Sequence, residues 1–185
     1  YRAGWMVHNS GHINPFAMTV GLADAVEREG VHIFENTRAV RIERVERGWR
    51  VYSTGGSVTA SEVILATNAL TDDLWPGLKR TLIPMKVFQA ATEPLSDGIK
   101  AQILVGNPAV SDMHNDLRYF HYDCDGRLVS GATHTFWHDE DRRGRAKVAR
   151  VLARTFKALG GEPPIAEYWS GTFAVVPDLK PHLHR

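Results

Sequence analysis

The spacing of apolar residues predicts a helix near the start of the chain. Asn14-Pro15 offers a capping side chain followed by proline at a first helical position. Phe16, Val20, Ala23 and Val26, with Leu22 beside them, then recur at helical spacing until Gly30 stops the run. Residues 31–34 read as a short apolar strand, so that helix, glycine and strand form a crossover of the α/β kind. Residues 39–45 alternate apolar and charged side chains, as a half-exposed strand does. Gly48 and Gly55-Gly56 turn the chain into two further short strands. Residues 62–66, Glu-Val-Ile-Leu-Ala, form a nearly continuous apolar run that reads as a strand buried on both faces.

Beyond residue 80 the pattern shifts toward β structure. Residues 85–92 predict a strand, and residues 118–122 and 127–130 predict a hairpin around the turn-rich Asp123-Cys124-Asp125-Gly126. Residues 139–159 predict the longest helix, with Val148, Leu152, Phe156 and Leu159 on one stripe and Gly160-Gly161 as its stop. Ala166-Glu167-Tyr168-Trp169 begins a last strand. The fold class is therefore mixed α/β. The basic run Arg142-Arg143-Gly144-Arg145 directly follows Asp139-Glu140-Asp141 and reads as a solvated helix start.

Composition narrows the function. The 185 residues are 43% hydrophobic and 23% charged, as in an ordinary globular protein. A net charge of +1 gives no electrostatic reason to expect nucleic acid or an anionic membrane as partner. Cys124 is the sole cysteine, which suits a reducing compartment, and the expected location is cytoplasmic. No apolar run approaches the ~20 residues of a membrane span. His182 and His184 stand two apart without a third ligand, so no metal is assigned. The chain opens on Tyr1-Arg2-Ala3-Gly4, which reads as the interior of a longer protein.

Several segments together carry a resemblance. They are Gly11-His12-Ile13-Asn14-Pro15 before the helix, residues 30–40 (GVHIFENTRAV), and Glu62-Val63-Ile64-Leu65-Ala66-Thr67-Asn68-Ala69. Pro84, Arg118-Tyr119-Phe120, residues 126–131 (GRLVSG), Tyr168-Trp169-Ser170-Gly171, Pro177-Asp178 and Pro181 follow in order. The sequence resembles the D-amino-acid-oxidase-like superfamily of FAD enzymes, and within it the γ-glutamylputrescine oxidase, glycine oxidase and sarcosine oxidase group. The resemblance implies a partial FAD-binding domain of the glutathione-reductase-like type over 1–80, a β-rich substrate-binding lobe over 81–165, and a strand over 166–185 that returns toward the FAD domain. It implies FAD as cofactor and a small amine or amino acid as substrate, oxidised at its C–N bond.

By the same resemblance, the cofactor borders the backbone at Val40 and the strand end Ala66, Thr67 and Asn68, while Trp169 and Gly171 lie toward its ring. A strand that ends in small residues at a sheet's carboxyl edge also leaves physical room for a ligand, although tight packing against a following helix needs the same small side chains. His12, Arg118, Tyr119 and His134 are the substrate-side candidates. Each has a plainer reading: a loop histidine for His12, a strand histidine for His134, a surface arginine for Arg118, and core packing for Tyr119. No residue is singled out as catalytic, and the oligomeric state is left open.

The departures from the family are specific. The Gly-x-Gly-x-x-Gly turn, whose helix N-terminus holds the cofactor's pyrophosphate, does not occur in this sequence. The strand at Leu128-Val129-Ser130 carries no lysine of the kind some oxidases of the family hold over the flavin, so the electron acceptor, oxygen or another, is left open. A second functional class stays open, a non-catalytic binding or structural domain that keeps the scaffold without cofactor. The expectation for this chain alone is weak or absent FAD binding. Equilibrium dialysis checks it, and micromolar or tighter retention by the 185 residues would overturn it.

Overall fold

The structure, a computed structural model, describes residues 4–113, 118–133 and 139–182. The chain divides into two compact units, Tyr1–Thr19 with Lys86–Gly171, and Val20–Met85 with Thr172–Arg185.

Most of a five-stranded sheet in the order β5-β6-β7-β4-β8 belongs to the first unit, while the start of β4 and the end of β8 fall in the second. The strands of this sheet are β4 (Ile83–Pro94), β5 (Val110–Ser111), β6 (Tyr119–Tyr122), β7 (Arg127–Thr133) and β8 (Ile165–Val175). Successive strand side chains point to opposite faces, and the pairing sorts them. Phe88 opposes Ala132, and Tyr122 opposes Leu128. These residues, with Ala90 and Phe120, form one face, and they pack on Val148 and Leu152 of helix α3 (Glu140–Thr155). Ile103, from the segment after the short helix α2 (Asp97–Lys100), completes this core. The predicted helix over 139–159 is thus α3 followed by a 3-10 turn, Lys157–Leu159.

The predicted hairpin forms as β6 and β7. Asp123 organises its turn, because its carboxylate accepts the N–H groups of Asp125 and Arg127, each at 2.9 Å. Gly126 occupies the left-handed conformation the turn requires, with φ of 74°.

The basic run is only partly solvated. Arg142 lies in solvent and pairs with Asp139. Arg145 instead reaches β8 and donates to the carbonyls of Ile165 and Ala166, at 3.0 Å each, while pairing with Asp141. Gly144 is buried against Tyr168, whose ring would lie 2.3 Å from an added Cβ.

The second unit holds an antiparallel meander of β1 (Ala39–Val45), β2 (Gly48–Ser53) and β3 (Gly56–Ala60). Helix α1 (Pro15–Arg28) begins in the first unit and belongs to the second from Val20 onward. Both ends of α1 match the sequence: Ala17 N–H donates to Asn14 Oδ1 at 3.0 Å, and Gly30 has φ of 83°. The Gly30 N–H bonds Glu27 O and the Val31 N–H bonds Val26 O, which together form a Schellman stop.

Two expectations fail here. Residues 31–34 and 62–66 are not strands, because among the described residues neither segment has a neighbour to share a hydrogen-bond ladder. Several of their apolar side chains stay exposed, Ile64 at 89% and Phe34 at 67%, while Val63 and Leu65 are half-buried. None of the described residues of this unit is fully buried.

This uneven burial yields a prediction. Leu152→Ala, at a site with no exposed surface, removes a core side chain and lowers unfolding free energy by about 2–5 kcal/mol. Leu22→Ala, at a site 54% exposed, changes it by less than about 0.5 kcal/mol. Urea titration of both variants checks the contrast.

Candidate functional site

In the second unit, the pairing register of β1 with β2 slips between Ala39 and Arg41. Val40 is the extra residue of this bulge, and its main chain is left outside the ladder. Its side chain is 55% exposed. Two residues earlier, Arg38 donates to Asp72 at 2.6 Å. This ion pair ties the Val40 segment to the stretch that contains Ala66, Thr67 and Asn68. The Arg38 hydrogen bond, joined by the Leu74 N–H at 2.9 Å, holds the Asp72 carboxyl below its ordinary range.

Residues 66–72 form a tight corner. Asn68 takes the left-handed conformation, φ 47°, and opens a 3-10 turn over Asn68–Leu70. Asparagine tolerates this conformation better than most residues. Its Oδ1 accepts the Ala174 N–H at 2.7 Å. The Thr71 hydroxyl donates to Asn68 O and lies 2.7 Å from Thr67 Oγ1. Ala66, Thr67 and Asn68 are all exposed. One hydrogen bond, Arg38 to Asp72, runs between the segment that holds Val40 and the segment that holds Ala66, Thr67 and Asn68. The Arg38–Asp72 pair that joins them was not read from the sequence, since opposite charges 34 positions apart carry no local signal.

In the first unit, the second face of the five-stranded sheet carries Gln89, Ala91, Tyr119, His121, Val129 and Gly131, by the register of β4, β6 and β7. Gly131 leaves room there for Tyr119, whose hydroxyl would stand 2.4 Å from a Cβ at that position. The His12 ring meets the His121 ring at 4.7 Å between centroids, and His12 Nε2 lies 3.2 Å from Asn107 O. Burial, then the neighbouring His12, pushes the His121 pKa down, against an opposing pull from the Asp123 carboxylate.

His12 and Tyr119 thus belong to one unit, and Tyr119 shares its sheet face with His121. Arg118 falls on the opposite face, beside α3, where it lines a cavity of about 30 Å³ with Ser130, Lys147, Val148 and Val151. That volume is of the order of a single water. Trp169, 45% exposed, and Gly171, with open space around its Cα, lie along β8. His134 lies outside the described residues. His121 was visible as a hairpin histidine, and the two-residue alternation from Tyr119 is the signal that places it on the same face.

His182 Nε2 stands 3.0 Å from Asp178 Oδ1, and that bond holds the Asp178 carboxyl below its usual range. Among the described residues no group of three or more histidine, cysteine or acidic side chains is arranged to hold a metal. No described helix is long and apolar enough to cross a membrane.

Comparison with known proteins supplies the family. The chain is 30% identical over 187 residues to gamma-glutamylputrescine oxidoreductase of Escherichia coli (strain K12), covering all of this chain and 43% of that protein. It is 28% identical over 181 residues to the probable oxidoreductase OrdL of Rhizobium meliloti (strain 1021), covering 98% of this chain and 42% of the relative. The chain therefore spans less than half the length of these curated relatives. In fold it is similar to glycine oxidase from Geobacillus kaustophilus, with a TM-score of 0.71 at 20% identity over 90% of this chain and 44% of that one. The family of FAD dependent oxidoreductases, DAO, matches residues 1–185 without a gap at either end, and the chain belongs to that family.

Proposed function

We propose that the complete protein oxidises the C–N bond of a small amine or amino acid with FAD, and that Val40 and the Ala66–Thr67–Asn68 corner border the cofactor. The observation that carries this reading is the bulge at Val40. An unpaired stretch of main chain has donors and acceptors to offer a ligand, and the Arg38–Asp72 pair keeps it beside a corner built from small, exposed residues. A cofactor edge laid on main chain and small side chains fits this neighbourhood. Trp169 and Gly171 are assigned to the ring side of the cofactor.

When bound, the flavin supplies the acceptor for the hydride equivalent removed from the carbon beside the nitrogen. The protein's part is to hold and orient. In this reading Asn68 locks the corner through its left-handed backbone and its bond to the Ala174 N–H. Tyr119, His12 and His134 belong to the substrate side. Tyr119 presents a hydroxyl on the second sheet face, where Gly131 makes space for it. Arg118, placed beside α3, serves as a substrate contact only if a carboxylate reaches that side of the sheet. Segments 1–80 and 166–185 are assigned to the cofactor and 81–165 to the substrate.

In the complete enzyme, Ala66→Leu and Thr67→Trp lower flavin content while the apoprotein melting temperature changes little, because the added bulk projects into the cofactor's path. Flavin absorbance and melting temperature measured on the same preparations check this. Variants that melt early yet hold stoichiometric FAD once folded would place these residues in packing and remove them from the cofactor edge.

A further inference from the structure

In the loop before α1, the His12 side chain reaches β6 and the segment before β5. Its ring rests on His121 of β6 at 4.7 Å, with the planes inclined by 44°. Its Nε2 lies 3.2 Å from Asn107 O. A carbonyl only accepts, so Nε2 carries the hydrogen and donates it to Asn107 O. The docking point is rigid. Asn107 stands in the left-handed conformation, φ 52°, and its side chain bonds the Tyr122 main chain in both directions, at 2.8 and 3.2 Å.

We propose that His12 and His121 form a pH-operated clasp that fastens the loop of residues 4–14 to the sheet at neutral pH and releases it when His121 takes a proton. In the clasp that cation has to form on a half-buried ring with the His12 ring against it, whereas in the released state water solvates it. The groups around His121 make it the ring whose protonation opens the clasp. His12 faces it from the loop and Asp123 from the turn after β6. Val129 of β7 stands opposite it in the register, and Asn107 beside His12 is neutral. Burial and His12 disfavour the His121 cation, and only the Asp123 carboxylate favours it.

The sign follows from linkage. His121 binds a proton less readily in the clasped state than when released. The clasp is therefore at full strength above the ordinary histidine pKa of about 6.5 and weakens as pH falls through that value toward the lower, clasped one.

The test is nuclear magnetic resonance on the full chain in a His8→Gln background, which removes the other imidazole of the loop. The heteronuclear NOE of the residue 4–13 amides reports whether the loop is held. It should fall by about half between roughly pH 8 and pH 5, following the same curve as the His121 ring resonance. His121→Phe keeps a ring contact without a charge and should leave the NOE high at both ends. His12→Phe does the same from the exposed side, should His121→Phe fail to fold, and should also raise the His121 midpoint. A loop equally rigid at both pH values overturns the clasp, as does a drop of equal size in a ring-preserving variant.

Discussion

The packing of α3 on one face of the five-stranded sheet is the contact on which the described structure depends. Val148 and Leu152 of the helix meet Phe88, Phe120 and Leu128 of three different strands, and each of these side chains is almost completely removed from water. At about 25 cal/mol per Å² of apolar surface, such burial is the main favourable term available to a small unit. It also fixes register, since a slip of one residue in β6 or β7 would turn Phe120 or Leu128 away from the helix. The Arg145 bonds to β8 and the close approach of Gly144 to Tyr168 are secondary to it. They hold the helix to the outermost strand once the central strands are in place.

The faces that Tyr119 and Arg118 take are a consequence of that register. With Phe120 and Tyr122 committed to the core, Tyr119 and His121 are committed to the other face, and Gly131 opposite them leaves room for a tyrosine hydroxyl. Arg118 is committed to the α3 side by the same alternation. The buried face and the functional face are two outcomes of one pleat.

The second unit is organised differently. It has a regular meander and well-formed turns, yet none of its described residues is fully buried. Hydrogen bonds of its meander and turns, and ion pairs such as Arg38 with Asp72, run through it. An exposed ion pair contributes little to stability. It adds one contact between the bulged strand end and the segment that follows the Asn68 corner.

What the sequence determined by itself is local. The Asn14 cap, the Gly30 stop, the Asp123 turn and the apolar stripe of α3 rest on interactions between residues a few positions apart, and each appears as read. The order of motifs was also enough to indicate the family. The strands expected at 31–34 and 62–66 were misread because apolar runs reveal a preference for burial, while a strand exists only with a partner to bond. The bulge at Val40, the Arg38–Asp72 pair and the meeting of His12 with His121 were invisible for a related reason. Each depends on register or on contacts between distant positions, and those are set by how strands align and cores close. Tertiary structure alone decided which candidate residues became neighbours.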